Sequence, residues 1–379
     1  MNASASQGGG AMRLRGLVRK EFLQILRDPS SIAIAFIMPV ILLLIFGYGV
    51  SLDAKHIPLA LVVEHPSAKT MSFTSAFSKN IYFAPIIVPN MLTAQRAMVA
   101  RRVDGIVVLR GDFARRFNDP DGASIQVIVN GVDANKAGLL LGYVQGVWAN
   151  WLGKQAQAQG LSSALPVQLE ERIWFNSELR SRDYLVPGLI VVIMTLIGAM
   201  LTALVMAREW ERGTMEALIV TPVKMREILL GKLIPYFVLG MGGMVLSVVM
   251  AVYLFEVPLR SSLWVLFLTA SLFLLVALGM GLLISIVTKN QFVAGMVAII
   301  TTFLPAFILS GFIFDIGSMP RIVQILSHLI PARYFVAILQ TEFLAGNVWS
   351  VIIPNALALT VMVVFFLGLS RRKSRKRLE

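Results

Sequence analysis

Cysteine is absent from the 379 residues, so neither a disulfide framework nor a thiolate metal site can form. Histidine is scarce. His56, His65 and His328 stand far apart without H-x-x-x-H spacing, so a surface or interfacial role is expected of each, and no metal site. No G-x-x-x-x-G-K-[ST] stretch occurs, which excludes nucleotide binding through a P-loop. No Ser-His-Asp or nucleophile-elbow arrangement stands out, and Asp112 with Arg115 and Arg116 reads as a solvated helix face. The chain therefore reads as a non-enzyme with no cofactor of its own. Charge is also thin: 15% of residues are charged while 57% are apolar, and the mean hydropathy is +0.76. A chain this apolar has too little polar surface to stay dissolved as a globule. The net charge of +13 raises the question of nucleic acid, but much of it lies beside apolar runs, which is a membrane-topology pattern and not a nucleic-acid one.

What is present is a set of apolar runs long enough to cross a bilayer, which takes about 20 residues in a helix. Six qualify: Ser31–Val50, Leu185–Ala207, Leu233–Phe255, Leu263–Val287, Phe292–Phe314 and Val351–Ser370. None holds a Lys, Arg, Asp or Glu, so the midplane residues that ion-coupled transport uses are missing from them. Gly240–Gly243, inside the third run, reads as helix packing. The uncleaved first run reads as a signal-anchor, because Phe46, Tyr48 and Val50 make a poor cleavage site. Basic residues fall before the first run, between the second and third, at Lys289, and at Arg371–Arg377, which are all on one side if there are six crossings. Both termini are therefore expected in the cytoplasm.

Residues 51–184 then lie on the extracytoplasmic side, since long loops cross regardless of charge. Ile57–Val63, Ile81–Val88, Gly105–Leu109 and Ser124–Asn130 read as strands, and Ser67–Ser78, Met91–Arg102 and Ala134–Gln159 as helices. That alternation predicts a small α/β domain inserted between the first two of six transmembrane helices. Residues 1–11, rich in Ser, Gly and Ala, are expected to be disordered, and residues 371–379 form a basic tail.

Two cytoplasmic segments exceed a linker's needs. In residues 12–30, Leu14, Leu17, Val18, Phe22, Ile25 and Leu26 form one face, with Arg15, Arg19, Lys20, Gln24 and Arg27 mostly opposite, which predicts an interfacial helix ended by Asp28-Pro29. In residues 208–232, Arg208, Glu209, Glu211 and Arg212 surround Trp210. Gly213 breaks the helix, Thr214 is able to cap Met215–Val220, and Pro222 opens Val223–Gly231. Trp210, Met215, Leu218 and Ile219 beside such charge predict a protein-docking surface.

The chain from about Met12 onward resembles the permease subunits of ABC-2 type exporters, through Glu21–Pro29, Trp174–Pro187, Ala207–Lys232 and Leu309–Tyr334. It is similar to the bacterial subgroup with a large periplasmic domain, which includes inner-membrane permeases of multidrug exporters. The resemblance implies a connecting helix at Met12–Asp28, with Arg19, Glu21, Phe22, Arg27, Asp28 and Pro29 among its residues. It implies a coupling helix at Arg208–Val220, including Glu216, docking on a separate ATPase subunit that carries the ATP. Residues 315–350 would be re-entrant and line the exit, with Pro320, Pro331, Arg333 and Tyr334 shaping them. A second permease copy or a sister subunit, membrane lipids and a periplasmic adaptor are the further implied partners. A lipid- or polysaccharide-handling permease would share the machine and change the cargo. A membrane-anchored sensor or assembly protein is the competing class, and it lacks a cytoplasmic output domain.

Overall fold

The computed structural model describes residues 4–49, 56–117, 125–131, 134–158, 180–215, 221 and 223–374. The chain divides into two units, Met1–Ser51 with Ile173–Glu379, and Leu52–Arg172.

In the first unit, helix α1 (Ser4–Leu26) precedes α2 (Pro29–Gly49), and the joint between them is built by sequence. Asp28 accepts a hydrogen bond from Ser30 N at 3.2 Å, and Pro29 sits at the first helical position, where its missing N–H costs nothing. The expected disordered start is corrected from Ser4 onward. Helix propagates from residues 12–26 into a tract free of proline and β-branched residues, at one hydrogen bond for each residue fixed.

The remaining helices of this unit are α7 (Ser181–Glu211), α8 (Met225–Leu254), α9 (Leu263–Thr288), α10 (Gln291–Leu309), α11 (Arg321–Ser327), α12 (Pro331–Leu344) and α13 (Trp349–Lys373), numbered after four helices of the second unit. Among the described residues six helices, α2, α7, α8, α9, α10 and α13, are long and apolar enough to cross a membrane. The fifth run ends at Leu309 and not at Phe314, because Gly311 at φ +84° turns the chain where a side chain would be strained. The second run extends to Glu211, so residues 208–211, expected in the loop, are its last turn. Wide π turns at Ala33–Ile37 and Ile299–Phe303 lie one turn before Pro39 and Pro305. A proline ring crowds the carbonyl four residues earlier and offers it no N–H, and the wider turn relieves both.

Helix α7 is apolar all round and occupies the centre, packed by α2, α8, α9, α10 and α12. Between helices in lipid there is no hydrophobic drive, so close backbone approach must supply the attraction. The seams are accordingly small. Ala199, Ala203 and Ala207 on α7 meet Ala294 and Ala298 on α10. Across the α7–α9 seam, Thr202 Oγ1 donates to Leu278 O at 2.9 Å, and Gly281 lies directly against Ala199 O. Gly240 and Gly243 let Leu274 and the Ala35 carbonyl approach α8, which is the packing role expected of that stretch.

The second unit holds β1 (Ile57–Val63), α3 (Ala68–Ser78), β2 (Phe83–Val88), α4 (Met91–Val99), β3 (Gly105–Leu109), the one-turn α5 (Phe113–Arg116), β4 (Ile125–Val129) and α6 (Ala134–Ala158). Strand order is β2-β1-β3-β4, parallel except for antiparallel β3–β4. Central β1 and β3 read as unbroken apolar runs because helices cover both faces. One face seats Phe73 against Phe77, Phe113, Trp148 and Trp151; the other seats Ala94 and Val103. Ser67 and Thr70 cap α3 reciprocally. Asp112 pairs with Arg116 at 3.0 Å on the exposed face of α5, where a solvated helix face was expected. Ser124 and Gln159 lie outside the described residues.

Candidate functional site

On α1, Leu14, Leu17, Val18, Glu21 and Ile25 recur at three- and four-residue spacing, so a single carboxylate stands on an otherwise apolar stripe. Helix α1 packs along α8, and Leu17 fills the space where Gly231 would carry a Cβ, 2.9 Å away. The helix expected to lie in the interface is thus docked on protein along one face, while Leu23 and Leu26 keep an exposed apolar edge.

Glu21 is only 1% exposed, and Lys232 of α8 and Glu209 of α7 are 4% and 5% exposed. Lys232 Nζ reaches Glu21 Oε1 at 3.0 Å and contacts Glu209 Oε2. Lys20 Nζ closes the cluster, 3.2 Å from Glu21 and 3.3 Å from Glu209. Two cations and two anions therefore balance in a place where an unpaired charge would be costly. Burial works against the charge on Lys20, but the carboxylates of Glu209 and Glu21 outweigh it and raise its pKa. One lysine on α8 thereby ties α1 to α7.

A second tie lies at the α1–α2 joint, where Arg208 Nη1 donates to Asp28 Oδ2 at 3.0 Å and Arg208 Nη2 to Ser30 Oγ at 3.3 Å. Partial burial pushes the Asp28 carboxyl up, but hydrogen bonds from Ser30 and Ser31 and the Arg208 guanidinium hold it below the usual range. A carboxyl with a lowered pKa stabilises the fold above the ordinary aspartate range, and that contribution disappears as pH falls through its folded-state value. Asp28→Ala is expected to cost about 1 kcal/mol through the lost cap. Thermal unfolding of the detergent-solubilised protein checks this, and the gap between wild type and variant should close in acid.

Trp210 is half-buried against the cluster of Met206 and Met215, and beyond it the end of α7 is exposed. Glu211 Oε2 accepts from Gln291 N at 3.2 Å, Lys289 Nζ stands 5.3 Å from the centroid of the Trp210 ring, and Gly213 at φ +68° ends the helix. Thr214 Oγ1 donates back to Glu209 O at 3.2 Å. Met215, expected on a docking face, is buried against Met206, Ile228, Leu282 and Ile286. Glu216 and the rest of the expected coupling helix to Val220, with Pro222, lie outside the described residues. A cavity of about 740 Å3 opens between α1 and the end of α7, lined by Lys20, Leu23, Gln24, Arg27, Asp28, Arg208, Glu209, Arg212 and Thr214. Of the residues assigned to docking by sequence, Glu209 is spent internally, whereas Glu211 and Arg212 face outward.

At the opposite end of the bundle, α11 and α12 bend by 83° about Leu329 and Ile330. Pro320 precedes α11 and Pro331 opens α12. Arg333 Nη1 donates to Gln324 O at 3.0 Å and to Ser327 Oγ, and Tyr334 Oη donates to His328 O at 2.9 Å, so both residues lock the corner. Tyr184 Oη of α7 donates to Gly311 O at 2.8 Å nearby. Glu342 of α12 is fully buried and accepts from Thr269 Oγ1 at 3.1 Å; it falls between the apolar runs and so escaped the sequence reading. Lys232 was missed for a different reason. It reads as one more loop charge, and only the lone acid on the α1 stripe signals that a buried partner is required.

Residues 29–372 match the family model described as ABC-2 family transporter protein. The chain is 45% identical, over 97% of its length and 98% of the relative's, to a protein named probable multidrug ABC transporter permease YbhS of Escherichia coli strain K12. It is 26% identical over 88% of its length to the same organism's probable multidrug ABC transporter permease YbhR, covering 90% of that protein. The inner membrane transport permease YhhJ of that strain is 26% identical over 78% of this chain and 80% of its own. A match across nearly all six spans is the architecture's own signature, and the chain is a multi-pass membrane protein of the ABC-2 transporter family.

Proposed function

We propose that this chain is the permease subunit of an ABC exporter, driven by ATP hydrolysis on a separate ATPase subunit that docks at the exposed end of α7. The observation that carries the reading is the buried Lys232 cluster, which joins α1, α7 and α8 so that force applied at Glu211–Thr214 moves three helices together. The basic residues at this end, including Lys289 and Arg371, support placing it and both termini in the cytoplasm of a bacterial inner membrane. The second unit then lies in the periplasm, where an adaptor can engage it. The bent α11–α12 pair is the outer re-entrant segment, and a second permease chain completes the path. The relatives' names support drugs or other hydrophobic compounds as the cargo.

The test is affinity purification of the permease from its own cells, with vanadate-sensitive ATP hydrolysis measured per permease recovered. Wild type is expected to bring ATPase activity with it. Glu211→Lys with Arg212→Glu is expected to lower that activity several-fold while the permease is still inserted in equal amount, because reversed rim charges chiefly weaken association. Unchanged hydrolysis and export in the double variant would move the docking surface elsewhere.

A further inference from the structure

A cavity of about 850 Å3 opens between the start of α8 and the end of α13, lined by Lys224, Met225, Arg226, Gly368, Arg371, Arg372 and Ser374. Its four charged residues are all basic. The basic residues on α13 have an ordinary explanation, since cations favour a helix C-terminus and the ends of spans. Lys224 and Arg226 also stand at the end of a span, but they lie at the N-terminus of α8, where the helix dipole disfavours cations and attracts anions. Glu227, the acid of that turn, is turned to Lys224 N at 2.9 Å and to Arg13 at 3.4 Å, and it does not line the cavity. Ser374 supplies a separate observation. It is 5% exposed, it lines the cavity, and its buried hydroxyl has no hydrogen-bond partner among the described residues. A buried hydroxyl without a partner inside a ring of cations fits a missing acceptor.

The cavity continues into apolar surface along both helices. From Arg226, four-residue steps lead to Leu230, Ile234 and Val238, all exposed. From Gly368, steps back along α13 lead to Val364, Val361 and Leu357, also exposed. A soluble anion has no use for these two stripes, whereas acyl chains do.

We infer that this cavity binds the headgroup of an anionic phospholipid, with a two-phosphate headgroup of the diphosphatidylglycerol type matching four cations best, and that the chains lie along α8 and α13. The lipid then bridges the third and sixth spans at the end where α1 and α7 also gather.

The experiment titrates delipidated, detergent-solubilised full-length protein with diphosphatidylglycerol, phosphatidylcholine or inorganic phosphate, and counts bound lipid by native mass spectrometry. Wild type is expected to retain diphosphatidylglycerol in preference to phosphatidylcholine, less so at high salt. Arg226→Gln with Arg372→Gln is expected to bind it about thirtyfold more weakly, equivalent to about 2 kcal/mol at 1.4 kcal/mol per tenfold. Arg226→Lys with Arg372→Lys, which keeps the charge, retains most of the binding and guards against a folding defect. Arg101→Gln with Arg102→Gln, the same charge change in the second unit, leaves it intact. Equal loss in that control, or equal retention of phosphatidylcholine, overturns the proposal. So does inorganic phosphate competing as well as the lipid at equal concentration, which makes the site one for a soluble anion. If the glutamine variants keep the lipid but lose co-purifying ATPase, the face belongs to a protein and the inference is wrong.

Discussion

Lys232→Met is expected to unfold the protein more readily than any conservative change at the surface, by about 3–5 kcal/mol. The methionine fills the volume of the lysine stem, so packing is nearly kept and the loss is electrostatic. Glu21 and Glu209 would be left 1% and 5% exposed without their shared ammonium. Lys20 remains, but its side chain is half exposed and it sits at the rim of the cluster. Two like charges at this separation in a medium of low polarity repel and cannot be screened by salt. The lower melting temperature of the detergent-solubilised protein measures the effect. Adding Glu21→Gln and Glu209→Gln to Lys232→Met is expected to restore most of the stability, because the uncompensated charge is gone. A triple variant as unstable as the single one would mean that the cost is packing and not charge. The recovered triple variant also separates stability from function, since it keeps the fold without the ionic joint between α1, α7 and α8. If the joint transmits force from a docked ATPase, this variant hydrolyses ATP without export.

Gly281→Ala is the second large effect, expected to cost about 1–3 kcal/mol although it adds one methyl group. A Cβ there would collide with Ala199 O and Thr202 Oγ1. A backbone carbonyl cannot rotate aside as a side chain does, so the α7–α9 seam must open. Opening it also stretches the hydrogen bond from Thr202 Oγ1 to Leu278 O, 2.9 Å across the same seam. The matching control is Gly16→Ala on α1, where no atom lies within 4 Å of the new Cβ. Ordinary helix propensity makes that change stabilising by about 1 kcal/mol. Opposite signs in thermal unfolding are the expected outcome. A loss at Gly16 as large as at Gly281 would show that glycine content, and not the seam, governs stability.

The six apolar runs, the inserted alternation of strands and helices, and the break at Asp28-Pro29 were legible along the chain, because each is enforced locally. A span must satisfy its backbone within itself, a parallel strand covered on both faces must be apolar throughout, and a proline acts on its nearest turn. Trp210 and the charges around it marked one end of a span for the same reason, since charge cannot enter the hydrocarbon. The roles within that cluster were not legible. Glu209 and Glu211 are two residues apart and alike in chemistry, yet one is buried against a lysine 23 positions later and the other faces out. Helical rotation places them on different sides of α7, and only the packing of α1 and α8 decides which side is inside. Glu342 and the basic cavity at Ser374 were hidden likewise, because each depends on residues from distant spans meeting at one helix end. Sequence by itself determined which segments enter the membrane and where charge is confined. Tertiary structure alone decided which of those charges are consumed in holding the helices together, because burial is a property of neighbours and not of residues.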